Sequence, residues 1–70
     1  MDDLKTLRDF AGLTQHRAAR AAGIPRSRLS EVECGEVTLT SEEEARLRRV
    51  LLHAIETRAA WMHRLLSQSI

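Results

Sequence analysis

Residues 13–35 read LTQHRAARAAGIPRSRLSEVECG. Thr14 is a good N-cap, the alanine-rich run Gln15 to Ala22 can follow as a helix, and Gly23 is placed to end it in the left-handed conformation. Ile24 and Pro25 then make a turn. Proline suits a helix start, where the N–H it lacks would be an orphan anyway, so a second helix is expected from Pro25 or Arg26 to Cys34, closed by Gly35. In that helix Leu29 and Val32 share an inner face, while Arg26, Ser27, Ser30 and Glu31 point away from it. Ala18, Ala19 and Ala22 are small enough for the two helices to approach closely across so short a turn, with Ile24 plugging the angle between them.

Working outward, Leu4, Leu7 and Phe10 or Ala11 repeat at helical spacing, with Asp2 or Asp3 as cap and Gly12 as terminator. Beyond the central stretch, Thr40 or Ser41 can cap a helix through a box with Glu43 or Glu44, and the run Glu42, Glu43, Glu44 favours its positive end. Residues 42–67 hold no Gly or Pro. One helix over about 41–67 is therefore expected, the Gly- and Pro-free part alone being roughly 39 Å long, with a break near Thr57 as the alternative. The fold class is all-α, a bundle of four to five helices in one domain spanning 1–70, since Ala, Leu, Arg and Glu dominate and no stretch alternates for long.

The long helix is apolar on more than one side. Leu47, Val50, Leu51 and Ala54 are assigned to the core. Leu52, Ile55, Ala59, Met62 and Leu66, spaced 3, 4, 3, 4, are assigned to a partner helix. A chain of 70 residues buries only about 60% of its unfolded surface, so a second copy is an expected source of stability. Disulfides cannot supply it. Cys34 is the one cysteine, which fits a reducing, cytoplasmic setting and reads as an exposed bystander. No cofactor, metal or membrane contact is expected, the longest apolar run being 59–62.

The formal net charge is only +1, but it is unevenly spread. Within 14–30 lie Arg17, Arg20, Arg26 and Arg28 and no acid, and ten of the eleven cationic residues of the chain are arginines. A planar guanidinium suits bidentate contact with phosphate or guanine better than an ammonium does. Catalysis finds no support: His16, His53 and His63 fall at unrelated helical positions, and there is no HExxH motif or Gly-rich loop before a helix.

With these elements in place, the sequence resembles the phage-repressor type of helix-turn-helix, the family of the lambda and 434 repressors, Cro and many small bacterial regulators. The likeness runs over about 4–51. Its carriers are Leu7-Arg8, Gly12-Leu13-Thr14-Gln15, Ala19, Gly23-Ile24, Arg26-Ser27-Arg28-Leu29-Ser30 and Glu33-Cys34-Gly35, in order and at the family's spacing. The resemblance implies a helix-turn-helix core at 14–34 whose second helix (26–34) enters the major groove of double-stranded DNA. Arg26, Ser27 and Glu31 are then the base-reading positions, and Arg28 could reach a phosphate or another base. Arginine pairs bidentately with guanine and glutamate accepts from cytosine N4, although Glu31 could equally serve as a local partner of Arg28. Thr14 and Gln15 open a helix whose orphan N–H groups would meet a phosphate, with Arg17, Ser30 and a protonated His16 as further backbone contacts.

The resemblance also pairs Glu33, on the inner face, with Arg8, because an isolated buried carboxylate is costly. Some positions depart from the family pattern. Ala18 stands where a larger aliphatic residue is usual, Pro25 replaces a Ser or Thr cap, Glu44 takes an often apolar site, and Glu36 sits where a basic residue often meets phosphate. A loop at 36–39 that binds DNA weakly or not at all is the consequence.

Two functions are expected on these grounds. One is a homodimeric repressor reading a pseudo-palindromic operator at its own or a neighbouring promoter, acting by occupancy without an effector module. The other is an antitoxin-like adaptor whose last helix offers Trp61, Met62, Leu65 and Leu66 to a heterologous protein.

Overall fold

Each of the chain's three glycines ends a helix in the same way. In the computed structural model, which describes residues 3–68, Gly12, Gly23 and Gly35 have φ of 71°, 71° and 81°. After Gly12 the pattern is Gly12 N–H to Asp9 O (3.1 Å) with Leu13 N–H to Arg8 O (3.3 Å). It recurs as Gly23 to Arg20 with Ile24 to Ala19, and as Gly35 to Val32 with Glu36 to Glu31. This is the paired 5→2 and 6→1 closure of the Schellman motif, which turns the chain sharply and satisfies carbonyls the helix leaves over.

The elements so delimited are α1 (Asp3–Ala11), α2 (Gln15–Ala22), α3 (Arg26–Glu33) and α4 (Ser41–Gln68). The caps expected of the Asp2 and Asp3 side chains lie outside the described residues. Among the described residues the fold is all-helical, with a long last helix. Pro25 precedes α3 with φ −58° and gives no side-chain cap, so α3 starts on the fixed proline dihedral alone.

The core comprises Leu4, Ala11, Ala18, Ala19, Ala22, Ile24, Leu29, Leu47 and Leu51. α1 and α2 both pack on α4, and α3 packs on α2. Leu29, Leu47 and Leu51 are its largest fully buried side chains, and the alanines of α2 let the helices around them close up. Of the two candidates at the end of α1, Ala11 is buried and Phe10 is 68% exposed.

The start of α4 resolves an ambiguity. Thr40 Oγ1 accepts the Glu43 N–H at 3.1 Å, and Glu43 Oε1 accepts the Thr40 N–H at 3.0 Å, so the capping box is Thr40 with Glu43 and not Ser41 with Glu44. α4 then runs unbroken through Thr57, and the fifth helix is absent among the described residues. Its 28 residues span roughly 42 Å at 1.5 Å each, longer than the domain they pack against, and the molecule measures 48 × 20 × 18 Å.

Two arginines of α4 fasten the body to it. Arg46 Nε donates to Ala22 O (3.0 Å) and Arg58 Nη1 to Phe10 O (3.2 Å). Each guanidinium meets carbonyls at the negative end of a helix, α2 and α1 respectively, where a cation is favoured. Beyond Arg58 the helix outruns the core. The core stripe Leu47, Leu51 and Ala54 continues along the same face as Arg58, Trp61 and Leu65, all three of them exposed. No described helix is long and apolar enough to cross a membrane.

Candidate nucleic-acid interface

α2 and α3 are held at a fixed angle by one polar cluster at their far ends. Glu33, the last residue of α3, has a side chain only 4% exposed, and Arg8 of α1 meets it as a two-pronged fork: Nε to Oε2 at 2.7 Å and Nη2 to Oε1 at 2.9 Å. The third arginine nitrogen, Nη1, donates to Leu13 O at 2.9 Å. Gln15 adds its Nε2, 2.9 Å from Glu33 Oε1. Burial works against the Glu33 anion and is the largest single influence on it. The hydrogen bonds from Arg8 and Gln15, with the charges of Arg8 and Lys5, outweigh it and hold the carboxyl below its usual range.

Sequence patterning offered no sign of the Gln15 contact, because its partner lies 18 residues away on another helix. Its consequence is local. Gln15 is tied by its amide nitrogen, which leaves its carbonyl oxygen and second N–H direction to define one edge of the surface at the start of α2. Beside it Thr14, with φ −73° and ψ 162°, accepts the Arg17 N–H on its hydroxyl at 3.1 Å. The N–H groups of Gln15 and His16 in that first turn have no intrahelical acceptor.

The outer face of α3 lies next to this helix start. Gln15, Arg26, Ser27 and Ser30 line one open hollow between the two helices. Arg26, Ser27 and Glu31 are exposed, Ser30 is half-buried, and Leu29 between them is 1% exposed, so the helix presents polar groups outward around a buried anchor. His16 and Arg17 are exposed and line a separate hollow with Arg20 on the flank of α2. Cys34 is an exposed free thiol.

Arg28 is placed differently. Its Nη2 donates to Glu43 Oε1 across 2.8 Å, not to Glu31, and its Nε is buried with no hydrogen-bond partner. The Thr40 backbone N–H, and then the Arg28 guanidinium, hold the Glu43 carboxyl below its usual range. Arg28 thus stands apart from the hollow that gathers Gln15, Arg26, Ser27 and Ser30.

Of the residues assigned to a partner, Leu52, Trp61, Met62, Leu65 and Leu66 are exposed, at 48%, 58%, 50%, 44% and 67%, and Ala59 is exposed with them. Ile55 is half-buried and packs against the core, because α4 is still in contact with the domain at that turn. Phe10 of α1 joins this surface, lining a groove with Ile55, Ala59 and Met62.

Among known families, the one described as Helix-turn-helix domain matches residues 2–61. No curated protein and no solved structure matches the chain.

Proposed function

Because the chain belongs to the helix-turn-helix domain family, we propose that it is a sequence-specific regulator that places α3 in the major groove of double-stranded DNA. In this reading it is a repressor-type protein, related to the phage repressors, that acts as a homodimer on a pseudo-palindromic operator at its own or a neighbouring promoter.

The observation that carries it is the surface shared by the two helices. Gln15, Arg26, Ser27 and Ser30 converge on one hollow, in a stretch whose charges are all positive, beside the donor-rich start of α2. Arg26, Ser27 and Glu31 read base edges, while Thr14, Gln15, His16, Arg17 and Ser30 contact phosphate. Three readers on one short helix supply too little discrimination alone, since each good contact contributes about 1 to 3 kcal/mol. Two copies double it.

α4 supplies the pairing surface through Leu52, Ala59, Met62 and Leu66, with Trp61 and Leu65 on its adjoining face and Ile55 at the domain edge. The test is binding to the DNA upstream of the protein's own gene over a salt series. A preferred site with two symmetric halves supports the proposal, and equal binding to all sequences refutes it.

The large exposed apolar area beyond Arg58 also favours a second reading, an antitoxin-like adaptor whose α4 engages another protein. Light scattering on the pure protein separates the two: a dimer supports the repressor, a monomer the adaptor.

A further inference from the structure

Beside the packing of Leu29 and Val32 and its contact with α2, α3 is tied to the rest of the molecule by two ion pairs toward its two ends. Glu33 binds Arg8 of α1, and Arg28 binds Glu43 of α4. The second pair is the more exposed, with side chains 38% and 19% accessible, and such a pair adds little to stability. What it specifies is direction. Glu43 Oε1 accepts both Arg28 Nη2 (2.8 Å) and the Thr40 N–H (3.0 Å), so one oxygen atom joins α3 to the residue that caps α4.

We propose that Arg28 is a positioning residue and not a DNA contact: its bond to Glu43 sets the tilt of α3 against α4. Two observations separate it from Arg26. Arg26 is exposed and shares the hollow with Gln15, whereas Arg28 lies outside it, with its Nε walled in and one of its outer nitrogens already committed to a carboxylate. With Nε buried and Nη2 bonded to Glu43, the Nε–Nη2 edge of Arg28, one of the two forks an arginine can offer a base, is already taken. Base reading then falls to Arg26, Ser27 and Glu31. Through Glu43 the orientation of the reading helix is fixed relative to the helix proposed to pair two copies. This inference rests on the DNA-binding reading above.

The experiment compares wild type, Arg28→Gln, Glu43→Gln, their double variant and the charge swap Arg28→Glu with Glu43→Arg. The probe is the duplex that wild type selects from a random-sequence pool, titrated over a salt series. Gln at 43 still accepts the Thr40 N–H, so the α4 cap survives, and circular dichroism melts verify folding. Both single variants should weaken binding by about twofold to fivefold, the most that a pair of this exposure can bias the tilt, and the double variant no further. The slope of log K against log salt should stay the same, and the swap should recover most of the loss.

Weakening by Glu43→Gln runs against simple electrostatics, since that change makes the protein more positive. If instead Glu43→Gln leaves binding unchanged or tightens it, while Arg28→Gln weakens it and lowers the slope by about one, Arg28 is a DNA contact and the proposal falls. Wild-type behaviour of both single variants overturns it too. If wild type selects no sequence, it is the DNA reading that fails. The tilt is then judged by amide shifts of α3, which the two single variants must perturb alike for the positioning role to stand.

Discussion

Gln15, the first residue of α2, donates its side-chain amide to Glu33, the last residue of α3, across 2.9 Å, and shares that carboxylate with Arg8. A surface residue at the proposed phosphate contact is thereby held by the same group that ties α3 to α1. Gln15→Ala should weaken binding to specific and unrelated duplexes alike, by about twofold to tenfold for one neutral hydrogen bond, with an unchanged salt slope. Titration of both kinds of duplex checks this; a loss confined to the specific site would make Gln15 a base reader.

Arg8→Ala removes both prongs from a carboxylate that is almost fully buried, and should destabilise the domain by about 3 to 5 kcal/mol. At about 0.05 to 0.15 kcal/mol per residue, a chain of this size has roughly 4 to 10 kcal/mol in total. The variant should therefore lose a large share of its stability and melt well below wild type, and a melt identical to wild type would show that the pair does not stabilise the domain.

The same cluster sets an acid limit. The folded state holds the Glu33 carboxyl below its unfolded value, so its contribution is fully present above the unfolded value and is lost as pH falls through the folded one. Stability of wild type should drop below about pH 4, and that drop should be smaller in Glu33→Gln, which has no proton to take up. Denaturant midpoints measured across the acid range report both.

Gly12 and Gly23 have the same φ of 71° but different surroundings. A Cβ at Gly12 would stand 2.7 Å from Arg58 Nη1, whereas one at Gly23 meets nothing within 4 Å. Gly23→Ala should cost about 1 to 2 kcal/mol of left-handed strain, and Gly12→Ala that amount plus the displacement of Arg58 from Phe10 O. In an Arg58→Ala background the excess at Gly12 should vanish.

Met62→Glu combined with Leu66→Glu places charge on the far part of α4, well away from the core. If two copies pair through α4 as proposed, light scattering should show the mass fall from dimer to monomer, with the domain still folded by circular dichroism. A dimer that survives both changes pairs through another surface.

Much of the fold was legible because its punctuation is local. Gly12, Gly23 and Gly35 mark helix ends, Thr14 marks a start, and Leu29, Leu47 and Leu51 stand on the faces their spacing assigns to the interior. The choices left open needed neighbours in space. Thr40 with Glu43 could not be told from Ser41 with Glu44 by spacing, and Phe10 and Ala11 were equivalent until α4 covered only one of them. The contact that Arg58, just past Thr57, makes with the end of α1 was likewise invisible in the spacing. Arginine contacts with distant carbonyls or carboxylates leave no periodic trace, so Arg28 could be matched only to nearby Glu31 when its partner is Glu43, 15 residues on.

In the proposed function, α3 reads bases through Arg26 and its neighbours. Sequences selected from a random duplex pool by wild type and by Arg26→Ala test it most directly. Wild type should select a two-fold symmetric site, and Arg26→Ala should lose preference at one position per half-site, by about 1 to 3 kcal/mol, while keeping the rest. A wild-type pool with no enriched sequence, or an unchanged motif in Arg26→Ala, would contradict it.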